Sequence, residues 1–460
     1  MRPLLLVNVV GLTMEMLSRT EHLKALAENG FARPMSTVLP AVTCSAQSSL
    51  LTGLSPREHG IVGNGWYFRD LAEIGFWKQS NHLVSGETIY AAARKRDASY
   101  STAKMFWWYN MYADVEWSVT PRPSYPVDGR KIFDSYSFPT DLKDELQAEL
   151  GVFPLLRFWG PGADIQSSDW IASASIKVMQ RFGPSLTLVY LPHLDYNLQR
   201  LGPNDPAVAA DFQAVDKQAG RLIEVARSLG YEIAVVSEYA ITTVNQPVHI
   251  NRVLREQGLL SVRREPLGWE TLDAGASRAF AVADHQVAHV YVKRPDDLET
   301  TREVLSKTPG VDCVLDRKHQ QEFGIDHPRS GELVVMAAPD AWFTYYFWLD
   351  DALAPDYART VDIHRKPGYD PCELFLDPHL RAPKLRVANR LLKKKLGFRY
   401  TMDVISLDAK IVRGSHGRLP AAGCEDREGP VFICSSREIE RDSVNMLDVK
   451  ELLLNLQFGR

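Results

Sequence analysis

Short apolar runs bounded by polar turns recur along the chain and predict buried strands. Between them lie segments with the period of an amphipathic helix. This alternation predicts a mostly parallel sheet with helices on both faces, and such sheets bind ligands beyond the carboxyl ends of their strands. The predicted strands are residues 4–10, 186–191, 233–237, 287–292, 333–337 and 404–407, and the predicted helices are residues 18–29, 207–229 and 248–257.

Two stretches interrupt this pattern and suggest how the 460 residues are organised. Residues 64–165 are rich in Trp, Tyr, Pro and Gly, which predicts loops over the ligand-binding edge of the sheet. Residues 245–400 contain further strands and polar segments, which predicts an inserted cap. We therefore expect an α/β core over residues 1–244, a cap with further core strands over 245–400, and a return to the core over 401–460.

Composition and charge exclude several classes of partner. The chain has 53 Lys+Arg against 57 Asp+Glu, so no basic field for nucleic acid is expected. Five scattered cysteines without metal-binding spacing are typical of a reduced, cytoplasmic protein. The first apolar run has the outline of a signal peptide, but no small-residue cleavage site follows it, and a buried strand is preferred. No membrane partner is expected, the oligomeric state stays open, and the basic cluster at residues 393–395 is interpreted as a solvated helix face.

The segment MSTVLPAVTCSAQSSLLTGLSPREHGIVGN combines a helix start with hydroxyl side chains. Pro40 ends an extended run, and helical spacing begins at Thr43. A hydroxyl there meets the positive end of the helix dipole and free backbone N–H groups, which suits a phosphate and a group that attacks one. On composition alone, a threonine in this position is more often a simple helix cap.

This segment closely resembles the nucleophile region of the type I phosphodiesterase/nucleotide pyrophosphatase family of the alkaline phosphatase superfamily. The resemblance implies a three-layer, alkaline-phosphatase-like α/β core with an inserted cap. It implies a phosphoric ester hydrolase in which Thr43 forms a phosphoryl-threonine intermediate and Asn64 donates to a phosphate oxygen. The implied substrate is a small phosphate mono- or diester, and the implied cofactor is one or two divalent metal ions, Zn²⁺, Mn²⁺ or Mg²⁺. The residues that match in order and spacing are Thr43, Thr52, Gly53, Pro56, His59, Gly60 and Asn64.

The metal ligands of the family can be compared with this chain position by position. Where the family has an Asp after the first strand this chain has Val10, and Asn8 on the same strand face is an alternative oxygen donor. Asp195 matches an expected ligand, but Gln199 stands in place of the histidine four residues later.

Two further ligand positions lie later in the chain. The expected Asp-His pair after a strand is Glu238-Tyr239, and Tyr239 is interpreted as a hydrogen-bond donor because a neutral phenol is a poor metal ligand. His416, between Gly414 and Gly417, matches the last histidine of the pattern. The candidate metal ligands at family positions are therefore Asp195, Gln199, Glu238 and His416.

Residues outside the family pattern could complete the site. Asp284 and His285, and also Asp362 and His364, could supply ligands or form polar networks in the cap. Trp66 and Tyr67 follow Asn64 closely and could stack on a substrate or fill a core. Because several ligand positions are replaced, the alternative function is a catalytically weak or inactive relative that binds a phosphorylated or cyclic metabolite.

Overall fold

A nine-stranded sheet forms the centre of the molecule. The computed structural model describes residues 1–127, 130–398 and 400–459. Across the sheet the strands are, in spatial order, Val444–Asn445, Phe31–Ser36, Val431–Cys434, Glu232–Val236, Leu4–Val9, Leu186–Leu191, Thr102–Met105, Trp117–Pro121 and Ser135–Phe138.

The middle of this sheet is parallel and fully buried. Leu4–Val9 pairs in parallel with Leu186–Leu191 on one side and Glu232–Val236 on the other. All six side chains of Leu4–Val9 are buried, as expected for a strand covered on both faces. Three of the predicted strands are therefore neighbours in space, and their carboxyl ends lie side by side.

Helices cover both faces of the sheet. Leu5 and Val7 pack on one face with the helices His22–Asn29, Ile165–Phe182 and Ala209–Ser228. Leu4 and Leu6 pack on the other face with the helices Thr43–Thr52, Ile89–Arg96 and Val449–Phe458. The alternation of side chains along one strand thus produces the two apolar layers of a three-layer fold.

A second, four-stranded sheet carries its own apolar core. Its order is Ala279–Asp284, Val287–Val292, Leu333–Ala337 and Val311–Leu315, and every neighbouring pair is antiparallel. The remaining helices are Pro56–His59, Leu142–Leu150, Leu155–Phe158, His193–Leu201, Ile250–Glu256, Leu298–Ser306, Arg317–Glu322, Pro383–Lys395 and Glu425–Glu428. Short paired strands are Gly65–Phe68 with Glu73–Phe76, Thr242–Thr243 with Gly414–Ser415, Gln246–Val248 with Ala341–Phe343, and Val262–Arg264 with Glu270–Leu272.

Two sequence predictions need correction. The strands at residues 287–292 and 333–337 exist, but they belong to the antiparallel second sheet, because a buried apolar run does not reveal the direction of its partner. Residues 404–407 are buried without forming a strand; they pack as irregular chain against the second core. In the described part of the chain, none of the helices has the length and apolar character needed to cross a membrane.

Candidate active site

The candidate site lies where three parallel strands of the central sheet end. Asn8 is on the strand Leu4–Val9, Glu238 and Tyr239 follow Glu232–Val236, and Asp195 is on the helix that follows Leu186–Leu191. Because these strands are neighbours, residues as far as 230 positions apart in the chain, Asn8 and Glu238, meet at one edge. This is the edge at which the strand pattern predicts a ligand.

Thr43 begins a helix that is buried along its whole length, Thr43–Thr52. Its hydroxyl lies 3.0 Å from the hydroxyl of Tyr239. The next residue, Cys44, is fully buried, and its backbone N–H donates to Asn64 Oδ1 at 3.0 Å. The helix start is therefore fixed from two sides, by a phenol at the side chain of Thr43 and by an amide at its backbone.

Two side-chain amide groups donate hydrogen bonds to Glu238. Its Oε1 accepts from Asn8 Nδ2 at 2.5 Å and from Gln47 Nε2 at 2.6 Å. Burial raises the pKa of Glu238 to about 8, although hydrogen bonds from Gln47, Asn8 and Thr43 oppose the shift. At neutral pH this carboxyl group is therefore mostly protonated.

Asp195 is the second acidic group of the site. Burial raises its pKa to about 7, and the nearby side chains of Gln199 and Tyr239 lower it by less. Gln199 is held in turn by Tyr369, whose hydroxyl donates to Gln199 Oε1 at 3.0 Å. The amide oxygen of Gln199 is thus directed at a phenol, and its NH₂ group is on the side of Asp195.

Four aromatic rings form a continuous stack beside Thr43. The ring centroids are 3.5 Å apart for Tyr239 and His416, 3.6 Å for His416 and His285, and 3.7 Å for His285 and Tyr369. His416 Nδ1 donates to the carbonyl oxygen of Ala41 at 2.8 Å, and burial lowers the pKa of His416 to about 3. Burial, followed by the nearby His416, also lowers the pKa of His285. Both imidazoles are therefore neutral at physiological pH.

The second sheet contributes a hairpin tip to the site. Asp284 accepts from the backbone N–H of Asn64 at 2.7 Å and from Asn64 Nδ2 at 3.1 Å, and burial raises its pKa to about 7. His285 follows with φ of 60°, a left-handed conformation that a residue with a β-carbon seldom adopts. Such strain persists only where the surroundings impose it, here the stack between His416 and Tyr369.

Other candidates from the sequence lie outside this cluster. Asp362 forms an ion pair with Arg365 at 2.6 Å, and His364 hydrogen-bonds the backbone of Phe76. Trp66 is buried beneath the guanidinium of Arg329, 5.1 Å from its ring centroid.

Tyr67 packs edge-on against Phe280 and Tyr291 of the second sheet. The aromatic rings closest to the stack are instead Trp77 and Trp159, whose centroids lie 6.2 and 5.7 Å from that of Tyr369. Tyr67 thus packs on the second sheet, and Trp66 belongs to a separate apolar cluster with Ile61 and Val62.

The residues present do not fit the two-metal centre that the resemblance implies. Throughout residues 1–127, 130–398 and 400–459, no three His, Cys, Asp or Glu side chains form a group that could hold a metal ion. Amide N–H groups of Asn8 and Gln47 both donate to Glu238 Oε1, which, among the described residues, leaves Oε2 as the one carboxylate oxygen of Glu238 free for a cation. The oxygen of Gln199 is taken by Tyr369, so Asp195 and His416 lack a third ligand at that family position.

The site nevertheless contains polar atoms that need a partner. Asn8 Oδ1, Asp195 Oδ1, Gln199 Nε2, Glu238 Oε2 and His285 Nδ1 are buried without a hydrogen-bond partner among the described residues. Buried polar groups are rarely left unpaired, because each costs about 1–3 kcal/mol. Acceptors and a donor occur together here, which suits a polar molecule that both donates and accepts.

Two residues of the network were missed by sequence reasoning. Gln47 is four residues after Thr43, and that spacing on a helix could have placed both on one face. Tyr369 lies in a segment of irregular chain, and no spacing rule connects it with His285 or Gln199. Only the fold brings Tyr369 to the stack.

Comparison with known proteins supports the resemblance. The family described as type I phosphodiesterase/nucleotide pyrophosphatase matches residues 4–370. A protein of Schizosaccharomyces pombe described as an uncharacterized pyrophosphatase/phosphodiesterase is 25% identical over 231 residues, which is 48% of this chain and 40% of that protein. The chain therefore spans about two fifths of the length of this curated relative.

Solved structures share the fold along nearly the whole chain. Phosphonoacetate hydrolase from Sinorhizobium meliloti, in complex with phosphonoformate, has a TM-score of 0.62 at 15% identity, covering 99% of this chain and 96% of that one. An inactive variant of murine ectonucleotide pyrophosphatase/phosphodiesterase 5, in complex with AMP, has a TM-score of 0.59 at 14% identity, covering 99% and 95%. The predicted alkaline-phosphatase-like fold is confirmed by these likenesses, and the predicted family is confirmed by the family match.

Proposed function

This chain belongs to the type I phosphodiesterase/nucleotide pyrophosphatase family, and we propose that it cleaves a small phosphoric ester through Thr43 without a two-metal centre. One observation carries the proposal. The Thr43 hydroxyl, at the start of a buried helix, lies 3.0 Å from the hydroxyl of Tyr239, which also contacts Asp195. Thr43 therefore has a path for its proton at the position where family members are typically assisted by a divalent metal.

Although the site contains two acidic residues, its charge favours the binding of a phosphate. Asp195 and Glu238 have pKa values raised to about 7 and about 8 by burial, so the two carboxyl groups together carry little charge near pH 7. The N-terminus of the helix Thr43–Thr52 adds the positive end of its dipole. An anionic ester therefore meets partial positive charge and little repulsion.

The chemistry follows from the hydrogen bond between Thr43 and Tyr239 and from the position of Asp195 near the same phenol. As the Thr43 oxygen attacks phosphorus, its proton moves to the Tyr239 oxygen, and the phenol proton moves to ionised Asp195. The bond from phosphorus to the leaving oxygen breaks, and that oxygen takes a proton from solvent. Water then attacks the phosphoryl-threonine and gives one proton to solvent. The proton on Asp195 returns through Tyr239 to the Thr43 oxygen, which leaves phosphorus as the hydroxyl, and Asp195 is ionised again.

The organic part of the substrate would meet aromatic surface. Trp77 and Trp159 are only partly buried and lie near Tyr369, and Trp77 also packs against Trp108 with 4.9 Å between ring centroids. Such rings bind flat, apolar groups. We therefore propose an aryl or other planar ester as the substrate class, with mono- and diesters both to be tested.

Metal content and turnover should be measured on the same protein. We expect protein purified without chelators to contain well below one metal ion per chain by elemental analysis. It should release nitrophenol from bis(p-nitrophenyl) phosphate or p-nitrophenyl phosphate at a rate that EDTA does not change. Loss of turnover in EDTA, with recovery in Zn²⁺ or Mn²⁺, would contradict the metal-free mechanism and restore the metal-dependent one.

A matched variant keeps the metal measurement interpretable. In this variant Gln199 and Tyr239 are replaced with the histidines implied by the family pattern, and Asn8, the alternative oxygen donor, is replaced with Asp (Gln199→His, Tyr239→His and Asn8→Asp). The three changes together should raise the Zn²⁺ content to about one or two per chain. If this triple variant binds no more zinc than the unmodified chain, the replacement of these ligands does not explain why the described part of the site lacks a group of side chains that could hold a metal ion.

A second function is favoured by the way the side chains of the site are held in place. Glu238 is held by two amide donors, and the neutral imidazoles of His285 and His416 lie in the ring stack. A site held in this way can bind a phosphorylated metabolite through its unpaired polar atoms without cleaving it. This alternative predicts thermal stabilisation by phosphate esters that Thr43→Ala preserves, together with no turnover of any ester tested.

A further inference from the structure

The helix Pro383–Lys395 and the turn after it expose an apolar ridge. The helix is 13 residues long, and Leu385, Leu392 and Leu396 are exposed by 73%, 57% and 66% of their surfaces. Leu385 and Leu392 are seven residues apart, and Leu396 is four further on, so all three lie on one side of the helix axis. Phe398 extends the same exposed surface beyond the helix end.

The helix is attached to the protein by its other side. Val387 packs against the core of the second sheet. At about 100° per residue, Val387 lies about 200° around the helix from Leu385. The leucine ridge therefore points away from the protein because of how the helix is anchored.

Basic residues flank the ridge. The sequence from residue 381 to residue 400 contains eight Lys or Arg and no Asp or Glu, in a chain whose net charge is −4. Arg386 and Arg390 share one carboxylate, that of Asp403, at 2.9 and 2.6 Å. Lys393 lies over the ring of Tyr400, 4.6 Å from its centroid, and Lys395 is exposed. The segment thus keeps an excess of positive charge beside its exposed leucines.

We propose that the helix Pro383–Lys395 binds the surface of an anionic lipid bilayer. A convex ridge of leucines with cations on its flanks matches a membrane interface, where the apolar side chains enter the acyl region and the cations meet lipid phosphates. Two copies of this surface would bring like charges together, which disfavours self-association. The helix lies on the membrane and does not cross it. The basic cluster at residues 393–395, interpreted from sequence as a solvated face, is then a lipid contact, and the expectation of no membrane partner is replaced.

Vesicle co-sedimentation of the full chain tests this proposal. We expect binding to phosphatidylcholine vesicles that contain phosphatidylglycerol, little binding to pure phosphatidylcholine, and weaker binding as salt is added. The double variant Leu392→Ser, Leu396→Ser should lower the partition coefficient at least about tenfold. Its control is Leu71→Ser, Leu267→Ser, which removes two leucines that are 66% and 80% exposed elsewhere and should leave binding unchanged.

Substitution of two lysines separates the electrostatic contribution to lipid binding from the contribution of the leucines. Lys393→Gln, Lys395→Gln should reduce binding to anionic vesicles, whereas Lys24→Gln, Lys307→Gln, at exposed lysines elsewhere, should not. Circular dichroism melting of each variant confirms that the fold is retained. The proposal is overturned if the unmodified chain binds vesicles with phosphatidylglycerol no better than pure phosphatidylcholine vesicles. It is also overturned if the leucine variant binds as well as its control.

A protein partner is the competing outcome. If the unmodified chain sediments as a dimer that the Leu392→Ser, Leu396→Ser variant converts to a monomer, the ridge is an interface between copies and the lipid proposal fails. Sedimentation velocity without lipid gives this answer directly. The test is independent of catalysis, because none of these residues contacts the site around Thr43.

Discussion

The two sides of the Thr43 site differ in how closely they follow the family pattern. The side formed by residues 43–64 matches it in order and spacing, and its helix start, Asn64 and the hairpin tip at Asp284 are tied together by short hydrogen bonds. The other side has Glu238, Tyr239 and Gln199 where the pattern implies metal ligands, and these side chains hydrogen-bond to the protein itself. The comparison teaches that the segment around Thr43 and the metal-ligand positions of the family pattern can vary separately in one chain.

The largest expected effect comes from a substitution on the side of the site that matches the family pattern. Thr43→Ala should lower turnover by at least about 10³-fold, because no other group at the helix start can form the covalent intermediate. Thr43→Ser should keep measurable activity. Thr52→Ala, at the other end of the same helix, is the control for stability, since in the described part of the chain its hydroxyl bonds only the nearby backbone of Ser48 and Leu54. Similar rates for Thr43→Ala and Thr52→Ala would exclude the covalent mechanism.

The next effect concerns the side that departs from the pattern. Tyr239→Phe should lower turnover by about 10²-fold, because it removes the hydroxyl between Thr43 and Asp195 and leaves the ring stack in place. Tyr100→Phe is the control, since that buried hydroxyl bonds Gln457 far from the site. An unchanged rate in Tyr239→Phe would show that the proton of Thr43 leaves by another route.

The pH dependence of turnover tests Asp195, which lies on the same side of the site as Tyr239. Burial raises the pKa of Asp195 to about 7, and only its ionised form can accept a proton. The rate should therefore rise as the pH rises through 7, by about tenfold between pH 6 and pH 8, as expected for one ionisation. In Asp195→Asn this rise should disappear together with most of the activity. A rate that falls over the same interval would contradict the role of Asp195.

The smallest effect is on stability. Burial raises the pKa of Glu238 to about 8, above its unfolded value, so the folded state holds a proton that the unfolded state releases. Folding is then penalised increasingly as the pH rises from the unfolded pKa towards 8. Glu238→Gln should therefore raise the free energy of unfolding at pH 8 by on the order of 2 kcal/mol, with little change near pH 4.5. Thermal unfolding at the two pH values measures this, and equal gains at both would refute the assignment to ionisation.

Local features of the site could be predicted from sequence, and distant contacts could not. The helix at Thr43 was expected from residue 43 onwards, because its start and spacing lie within ten residues. His285 and His416 meet ring to ring although 131 positions separate them, and no periodicity connects them. The same limit explains residues 404–407, whose apolar pattern predicted burial correctly but could not reveal that no strand lies beside them.

Cys44 offers a way to time the opening of this site. It follows Thr43 directly, is fully buried, and has a pKa raised by burial and by nearby Asp284, so its thiol should resist alkylation in the closed state. The rate at which iodoacetamide labels Cys44, read by peptide mass spectrometry, would then increase with the fraction of molecules in which the helix start is exposed. A bound phosphate ester should slow the labelling of Cys44 relative to the rate measured without a ligand.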